Sequence, residues 1–148
     1  MTRRRLLATP LAAWERDGLK AALRKAGLPA DDVGDARLLF WRFETTDIPV
    51  GFGGLEIHGS DALLRSLVTL PPLRQIGMGA AMVAMLETEA RTLNCHAIYL
   101  LTASDAKFFG RLGYGPCARS DVPEAIRGSR QFAELCAPTA AAMVKRIG

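Results

Sequence analysis

The sequence predicts an α/β fold built on one mixed, mostly antiparallel β-sheet. Three strand signals follow one another closely, at Arg37 to Phe43, Val50 to Ile57 and Ala62 to Leu70, and the short turns between them predict an antiparallel meander. A helix with one apolar face, Ala80 to Leu93, and a buried-strand pattern, Ala97 to Leu101, come next. A strand, a helix and a strand in this order predict a parallel pair of strands joined by a crossover.

Shorter elements complete the prediction. The start of the chain is interpreted as a first strand with charged residues before it. A helix is predicted after Thr9 and Pro10, because threonine can cap a helix and proline suits its first turn. Gly51, Gly53 and Gly54 within one strand indicate a bulge or a close backbone approach. Later we expect a helix at Asp105 to Leu112 capped by Ser104 or Asp105, a loop at Tyr114 to Pro123, helical turns at Glu124 to Arg127 and Phe132 to Leu135, and a final apolar run at Ala141 to Ile147.

Length and composition limit the classes of protein that the chain can represent. With 148 residues, 49% of them apolar, it fits one domain over residues 1–148. No apolar run approaches the roughly 20 residues that span a bilayer, so no membrane segment is expected. The three cysteines, Cys95, Cys117 and Cys136, are odd in number and lack metal-binding spacing. We therefore expect no disulfide framework, no metal site and a reducing, cytoplasmic location.

The charge of the chain is weakly informative about its ligands. A formal net charge of +4 favours an anionic ligand such as a nucleotide cofactor without preferring it over a nucleic acid, and an ordinary solvated surface is the more common explanation. Basic and aromatic residues do not interleave as they do in proteins that bind nucleic acids. We therefore expect no nucleic-acid partner.

The segment from Leu67 to Ala81 places a strand, a tight turn and the start of a helix in that order. Gly77 and Gly79 allow the main chain to approach a ligand, and the free N–H groups at the positive end of the helix converge there. This geometry binds phosphate, and Arg74 can add a charge-assisted contact. On the pattern alone, a tight turn without a ligand is an equal alternative.

Two motifs in this part of the chain resemble those of a known family. Thr69-x-Pro71-x-x-Arg74-x-x-Gly77-x-Gly79 resembles the acetyl-CoA signature of the GCN5-related N-acetyltransferases, with threonine where the family has valine. Ala106-Lys107-Phe108-Phe109-Gly110-Arg111-Leu112-Gly113-Tyr114 is similar to a second motif of the family, which follows its fifth strand. The correct order and spacing of the two motifs make a chance match improbable.

Narrower resemblances concern two subgroups. Leu100-Leu101-Thr102, together with the second motif, is similar to the acetyltransferase domain of N-acetylglutamate synthases. Gly27-Leu28-Pro29, Gly53-Gly54-Leu55-Glu56 and Ala62-Leu63-Leu64-Arg65-Ser66 resemble the corresponding segments of bacterial arsenic-resistance N-acetyltransferases.

The family resemblance implies a sheet that is splayed between its fourth and fifth strands, with the pantetheine arm of acetyl-CoA in the gap. The implied reaction is direct attack of a neutral amine on the thioester carbonyl, without a metal. Backbone groups of the fourth strand would pair with pantetheine, and the glycine turn would hold the diphosphate. The implied cofactor ligands are Leu67, Val68, Thr69, Arg74, Gln75, Ile76, Gly77, Met78, Gly79, Ala80 and Phe109.

The catalytic residues are less clearly indicated by the resemblance. Many members of the family have a tyrosine as general acid where this chain has Phe109, so the proton for the CoA sulfur would come from Ser104, Tyr114 or water, or the thiolate leaves unaided. Glu56 is the candidate base, because carboxylates on strands near the splay usually deprotonate the amine in this superfamily. A solvent-facing glutamate at a strand end is the alternative.

Three residues are candidate substrate ligands. Arg65 and Ser66 interrupt an otherwise apolar strand beside the expected acetyl position. An arginine there can grip a carboxylate or a similar oxyanion with two hydrogen bonds, and a surface salt bridge is the alternative. Arg42 is a weaker candidate for the same role.

We therefore predict acetyl transfer to the amine of a small molecule, either amino-acid-like or a toxic analogue such as an arsenical. N-acetylation of a peptide or protein is one alternative. A non-catalytic acyl-CoA sensor is another, and Phe109 in place of tyrosine is its best support. A homodimer is expected only by analogy with related proteins.

Overall fold

The fold is known from a computed structural model that describes residues 6–28, 30, 38–46, 48–70, 77–129, 132 and 139–148. Within these residues, seven strands form one sheet in the order β1-β2-β3-β4-β5-β7-β6. The strands are β1 Leu7–Pro10, β2 Leu38–Glu44, β3 Pro49–His58, β4 Asp61–Thr69, β5 Ala97–Thr102, β6 Gly115–Cys117 and β7 Ala141–Arg146. The α-helices are α1 Arg16–Lys25, α2 Met78–Thr92, α3 Ala106–Arg111 and α4 Glu124–Arg127.

The predicted α/β class and strand arrangement are confirmed. Strands β2, β3 and β4 form the antiparallel meander, and β4 and β5, which α2 connects, are the parallel pair. All other neighbouring strands are antiparallel. The parallel pairing runs only from Asp61–Ala97 to Leu63–Tyr99, whereas β4 continues to Thr69 and β5 to Thr102. The sheet is therefore open between the carboxyl-terminal halves of β4 and β5, as the family resemblance implied.

The glycines of β3 allow α2 to pack closely on the sheet. A Cβ atom on Gly51 would lie 2.0 Å from the carbonyl oxygen of Val68 and 3.0 Å from the Met82 methyl group. A Cβ atom on Gly53 would lie 2.8 Å from a Leu86 methyl group. The pairing of β3 with β4 also shifts register between Phe52 and Gly54. The predicted close approach is confirmed, whereas the extra residue of the irregularity lies in β4, where Ser66 and Leu67 face Gly53 alone.

Hydrophobic side chains cover both faces of the sheet. On one face, Phe43 and Leu55 pack with Met82 and Leu86 of α2. On the other face, Leu19 and Leu23 of α1 pack against Phe40 of β2, and Ile126 of α4 packs against Leu63 and Tyr99. Burial of these side chains at about 1.5–3 kcal/mol each holds the helices to the sheet.

The prediction that a helix starts at Thr9 and Pro10 is wrong. Both residues end β1, where Thr9 pairs with Arg42 and Pro10 with Trp41. Proline lacks an N–H group, which is tolerated here because β1 is an edge strand of the sheet. A short 3₁₀ helix follows, and α1 begins only at Arg16.

We predicted a loop from Tyr114 to Pro123, but only part of this segment is loop. It contains β6, which pairs with β7 through Gly115–Val144, and a 3₁₀ helix at Arg119–Asp121. A three-residue edge strand with Pro116 at its centre shows no periodicity that a sequence pattern can detect. The final apolar run forms β7, in the middle of this half of the sheet.

Two further predictions meet the structure only in part. Asp105 is the N-cap residue of α3, but its side chain makes no capping bond, and its N–H group donates instead to Thr102 Oγ1 at 2.9 Å. Of the helical turn predicted at Phe132 to Leu135, only Phe132 lies within the described residues. Cys136 and the charged residues at the start of the chain also lie outside them.

We expect the contact between β3 and β4 to make alanine costly at Gly51. Gly51→Ala should lower the free energy of unfolding by about 1–3 kcal/mol, since its Cβ would overlap the Val68 carbonyl group. Gly18→Ala in α1 is the control, because nothing lies within 4 Å of its Cβ position, and alanine should stabilise the helix by about 0.5–1 kcal/mol. Urea denaturation measures both, and a Gly51→Ala variant as stable as Gly18→Ala would contradict the packing described here.

Candidate active site

Two adjoining cavities occupy the opening between β4 and β5. The splay cavity, of about 450 Å³, lies between the separated strands, and the helix-end cavity, of about 440 Å³, lies at the start of α2. Leu67, Ser104, Asp105 and Phe108 line both, so the two form one continuous site. Lining residues found only in the splay cavity include Leu64, Arg65, Ser66, Leu100, Thr102 and Phe109.

The helix-end cavity contains most of the described residues that the sequence predicts as cofactor ligands. Gly77 precedes α2 with a positive φ of 75°, a conformation that favours glycine. No described side chain caps the helix, so the N–H groups of its first turn are available to a ligand at its positive end. The predicted ligands that line this cavity are Leu67, Val68, Thr69, Gly77, Gly79 and Ala80.

The remaining predicted cofactor ligands lie elsewhere. Met78 is the first residue of α2, packs against the core and lines neither cavity. Phe109 is 6% exposed and lines the splay cavity. Arg74, Gln75 and Ile76 lie outside the described residues, so their predicted contacts with the diphosphate stay predictions.

Arg65 and Ser66 lie together on the wall of the splay cavity. The Arg65 side chain is 2% exposed, its Nε–H group donates to Ser66 Oγ at 3.0 Å, and its guanidinium carbon lies 5.7 Å from the centre of the Phe40 ring. Ser66 has a positive φ of 58°, which is unusual for a residue other than glycine. The sheet thus places a buried cation beside the opening.

Arg42 lies away from both cavities. It projects from β2 and forms ion pairs with Glu15 and, at 3.5 Å, with Glu44. This position gives no support to the prediction that Arg42 binds the substrate.

The two candidates for the general acid lie in different surroundings. Ser104 follows β5, is exposed and lines both cavities. The Tyr114 hydroxyl group is buried and donates to Glu87 Oε2 at 2.9 Å, and Tyr114 lines neither cavity. Burial raises the pKa of Tyr114, and the negative charge of Glu87 raises it further. The structure therefore favours Ser104 over Tyr114 as a proton donor.

Glu56, the candidate base, is buried next to the opening but lines neither cavity. Its Oε1 atom lies 2.8 Å from His58 Nε2, and it pairs across the sheet with Leu63, where the parallel pairing ends. Because Gly54 pairs with Arg65, Glu56 and Arg65 are diagonal neighbours on the same face of the sheet.

Sequence patterns missed part of the site. Ala26, Gly27 and Leu28, which follow α1, line the splay cavity, and no motif indicated that this end of the helix approaches β4. Asp105 and Phe108 also line both cavities. Phe108 is next to Phe109 in the second motif. Because Phe109 was predicted as a cofactor ligand, this position could have identified Phe108 as a site residue.

Two features are absent from the residues that the structure describes. None of their helices is long and apolar enough to cross a membrane. No three of their histidine, cysteine, aspartate or glutamate side chains form a group suited to a metal ion.

Comparison with known structures shows the same fold. N-acetylglutamate synthase from Neisseria gonorrhoeae, complexed with CoA and N-acetyl-glutamate, matches 99% of this chain and 36% of its own, with a TM-score of 0.80 and 14% identity. A Mycobacterium tuberculosis protein in complex with CoA matches 96% of this chain and 99% of its own, with a TM-score of 0.76 and 18% identity. The ribosomal-protein-S18-alanine N-acetyltransferase of Escherichia coli matches 97% of this chain and 95% of its own, with a TM-score of 0.72 and 15% identity.

These likenesses differ in extent. The chain spans about a third of the length of the N-acetylglutamate synthase, with 36% of that chain covered. No curated protein matches the sequence significantly. Residues 4–114 match the model of the acetyltransferase (GNAT) family, and this match covers most of the chain. The chain therefore belongs to the acetyltransferase (GNAT) family.

Proposed function

We propose that this protein acetylates the amine of a small molecule that also carries a carboxylate or a similar oxyanion. The observation that carries the proposal is Arg65, a buried guanidinium group on the wall of the splay cavity. A guanidinium group has five N–H donors in a planar arrangement that fits an oxyanion. Its charge acts strongly here because the cavity wall is largely shielded from water.

The same cavities suggest where acetyl-CoA binds. The diphosphate would lie at Gly77, Gly79 and Ala80, where the N–H groups and the helix dipole favour an anion. The pantetheine arm would follow β4 past Leu67, which lines both cavities, so that the thioester enters the splay cavity. Strand β4 has no pairing with β5 along this stretch, which leaves backbone groups for the amides of the arm.

The acceptor would occupy the rest of the splay cavity, with its oxyanion at Arg65 and Ser66. A cavity of about 450 Å³ suits a small molecule. The N-acetylglutamate synthase that shares this fold was solved with N-acetyl-glutamate, an N-acetylated amino acid with carboxylates. Phosphorus and arsenic analogues of amino acids carry oxyanions of the same kind, and the arsenical acceptor rests on the sequence resemblance alone.

Transfer requires one proton to leave the amine and permits one to reach the sulfur. The neutral amine attacks the thioester carbonyl, a C–N bond forms, and the C–S bond breaks to release CoA thiolate. We propose Glu56 as the final proton acceptor, because it is the diagonal neighbour of Arg65. Since Glu56 does not itself line the cavity, the proton would reach it through water. Ser104, which lines both cavities, is the proposed proton donor to the thiolate.

A peptide acceptor is the alternative that one observation favours. The fold likeness to the ribosomal-protein-S18-alanine N-acetyltransferase supports it. However, the amino-terminal residue of a protein has no free α-carboxylate, so such an acceptor would not use the oxyanion recognition proposed for Arg65. Activity on a free amino acid, absent on its decarboxylated amine, separates the two acceptors.

We expect a negative charge at the start of α2 to reject CoA. Ala80→Glu should weaken CoA binding at least tenfold, about 1.4 kcal/mol, because Ala80 lines the helix-end cavity. Thr88→Glu is the control, since this exposed residue lies about 12 Å further along α2, beyond the screening length of about 8 Å. Isothermal titration calorimetry with CoA measures both. Equal affinities for the two variants would refute the placement of the diphosphate.

We expect Arg65→Lys to impair use of the acceptor and to leave CoA binding unchanged. Loss of paired, charge-assisted hydrogen bonds should raise KM for a carboxylate-bearing amine by roughly 10- to 100-fold, or about 1.4–2.7 kcal/mol. Arg42→Lys, at a partly exposed residue outside both cavities, should change neither quantity. A thiol-release assay measures KM over a panel of amino acids, their phosphorus and arsenic analogues and the matching decarboxylated amines. Equal activity on acids and decarboxylated amines would disprove recognition by Arg65.

The role of Glu56 can be tested by its pH dependence. Glu56→Gln should lower kcat, because the attacking amine then loses its proposed proton acceptor, and should alter the pH–rate profile. Glu44→Gln, which alters a carboxylate at the far side of the sheet, should leave the pH–rate profile as in the wild type. An unaltered profile for Glu56→Gln would exclude the role.

A further inference from the structure

Three aromatic rings form a column that extends from the cavities into the core. Phe108 lines both cavities and Phe109 the splay cavity, and their ring centres are 5.0 Å apart with planes at 74°. Phe109 then contacts the buried ring of Tyr114, with centres 5.7 Å apart and planes at 73°. Such edge-to-face contacts are directional, so the orientation of one ring constrains the next.

The inner end of this column is held by buried polar groups. Tyr114 donates to Glu87 Oε2 at 2.9 Å, and Lys145 Nζ donates to both carboxylate oxygens of Glu87 at 3.1 Å. Glu87 is 6% exposed, and the Lys145 ammonium group also lies 5.7 Å from the centre of the Tyr114 ring. A buried carboxylate needs such partners, because its desolvation is otherwise uncompensated.

This polar cluster connects the column to the helix that begins at the helix-end cavity. Glu87 belongs to α2. Near the start of the same helix, Gly79 lies so close to Phe108 that a Cβ atom added to it would be 3.2 Å from the outer edge of the Phe108 ring. Lys145 comes from β7, beside β5. The column is therefore in contact with α2 at its outer end and bonded to α2 at its inner end.

We propose that Tyr114, Glu87 and Lys145 are positioning residues that hold the Phe108 and Phe109 rings against the thioester end of acetyl-CoA. The proposal rests on the proposed function, in that the thioester lies in the splay cavity. Phe109 cannot donate a proton, so its contribution is the shape of the cavity wall. Each ring of the column contacts the next, and the Tyr114 ring is held by its hydrogen bond to Glu87. Loss of this hydrogen bond is therefore expected to change the position of Phe109 at the cavity wall.

The test compares the binding of acetyl-CoA with that of CoA, which lacks only the acetyl group. Tyr114→Phe keeps the ring that Phe109 contacts and removes the hydroxyl donor to Glu87. In the wild type the affinity for acetyl-CoA divided by the affinity for CoA gives a reference ratio. We expect this ratio to fall about three- to tenfold in the variant, which corresponds to the loss of one hydrogen bond. Calorimetry with each compound gives the ratio, and no acceptor is needed.

A double-mutant cycle shows whether the effect passes through Phe109. Phe109→Leu removes the ring, so adding Tyr114→Phe to it should not change the affinity ratio further. Ile126→Val is the control for lost stability alone, because Ile126 is fully buried in the cluster near α4 and lines neither cavity. It should lower the stability and leave the ratio as in the wild type.

Conservative substitution supplies an independent check if Tyr114→Phe folds poorly. Glu87→Gln keeps an oxygen that accepts the Tyr114 hydrogen bond and should preserve the ratio, whereas Glu87→Ala should not. A wild-type ratio in Tyr114→Phe or in Glu87→Ala overturns the positioning role while the proposed function stands. Absence of CoA binding by the wild type would overturn both.

Discussion

The site depends on the point at which β4 and β5 stop pairing. After Leu63 and Tyr99 the two strands diverge, although each continues in extended conformation. Backbone N–H and C=O groups exposed by such a separation need other partners, since an unsatisfied buried peptide group is costly. The amide groups of an extended cofactor arm can supply them. The opening in the sheet is thus both the main irregularity of the fold and the feature that binding is proposed to complete.

Close packing of α2 on β3 gives the opening its second wall. Gly51 and Gly53 have no side chains on the surface where Met82 and Leu86 pack, so α2 approaches the sheet closely. The start of the helix, at Gly77, consequently lies at the end of β4 where the strands have separated. The packing that stabilises the core also directs the positive end of the helix at the cavity.

Buried charges are concentrated around the same region. Glu56 and Arg65 lie on one face of the sheet, and Glu87 lies on α2 above the other face. Each is partnered within the described residues, Glu56 by His58, Arg65 by Ser66 and Glu87 by Lys145. Because even a partnered buried charge carries a desolvation cost, a core that served stability alone would not favour such charges near a cavity. Their positions agree better with a role in binding and catalysis.

Sequence patterns were sufficient wherever the structure is decided locally. The meander and α2 follow from hydrophobic periodicity, and the glycine turn follows from the conformational freedom of Gly77. A short stretch of sequence shows both signals directly. The order and spacing of two motifs then indicated the family and the open sheet. Arg65 and Ser66 were identified because polar residues stand out in an apolar strand.

Only the tertiary structure decided which residues meet across long distances in the chain. The short edge strands β1 and β6 obtain their hydrogen bonds from partners far away in sequence, so Thr9, Pro10 and Pro116 looked locally like a helix start and a loop. Arg42 and Arg65 are the same residue type on neighbouring parts of the sheet, yet one pairs with surface glutamates and the other lines the cavity. Burial and pairing are properties of the assembled sheet, and no local pattern contains them.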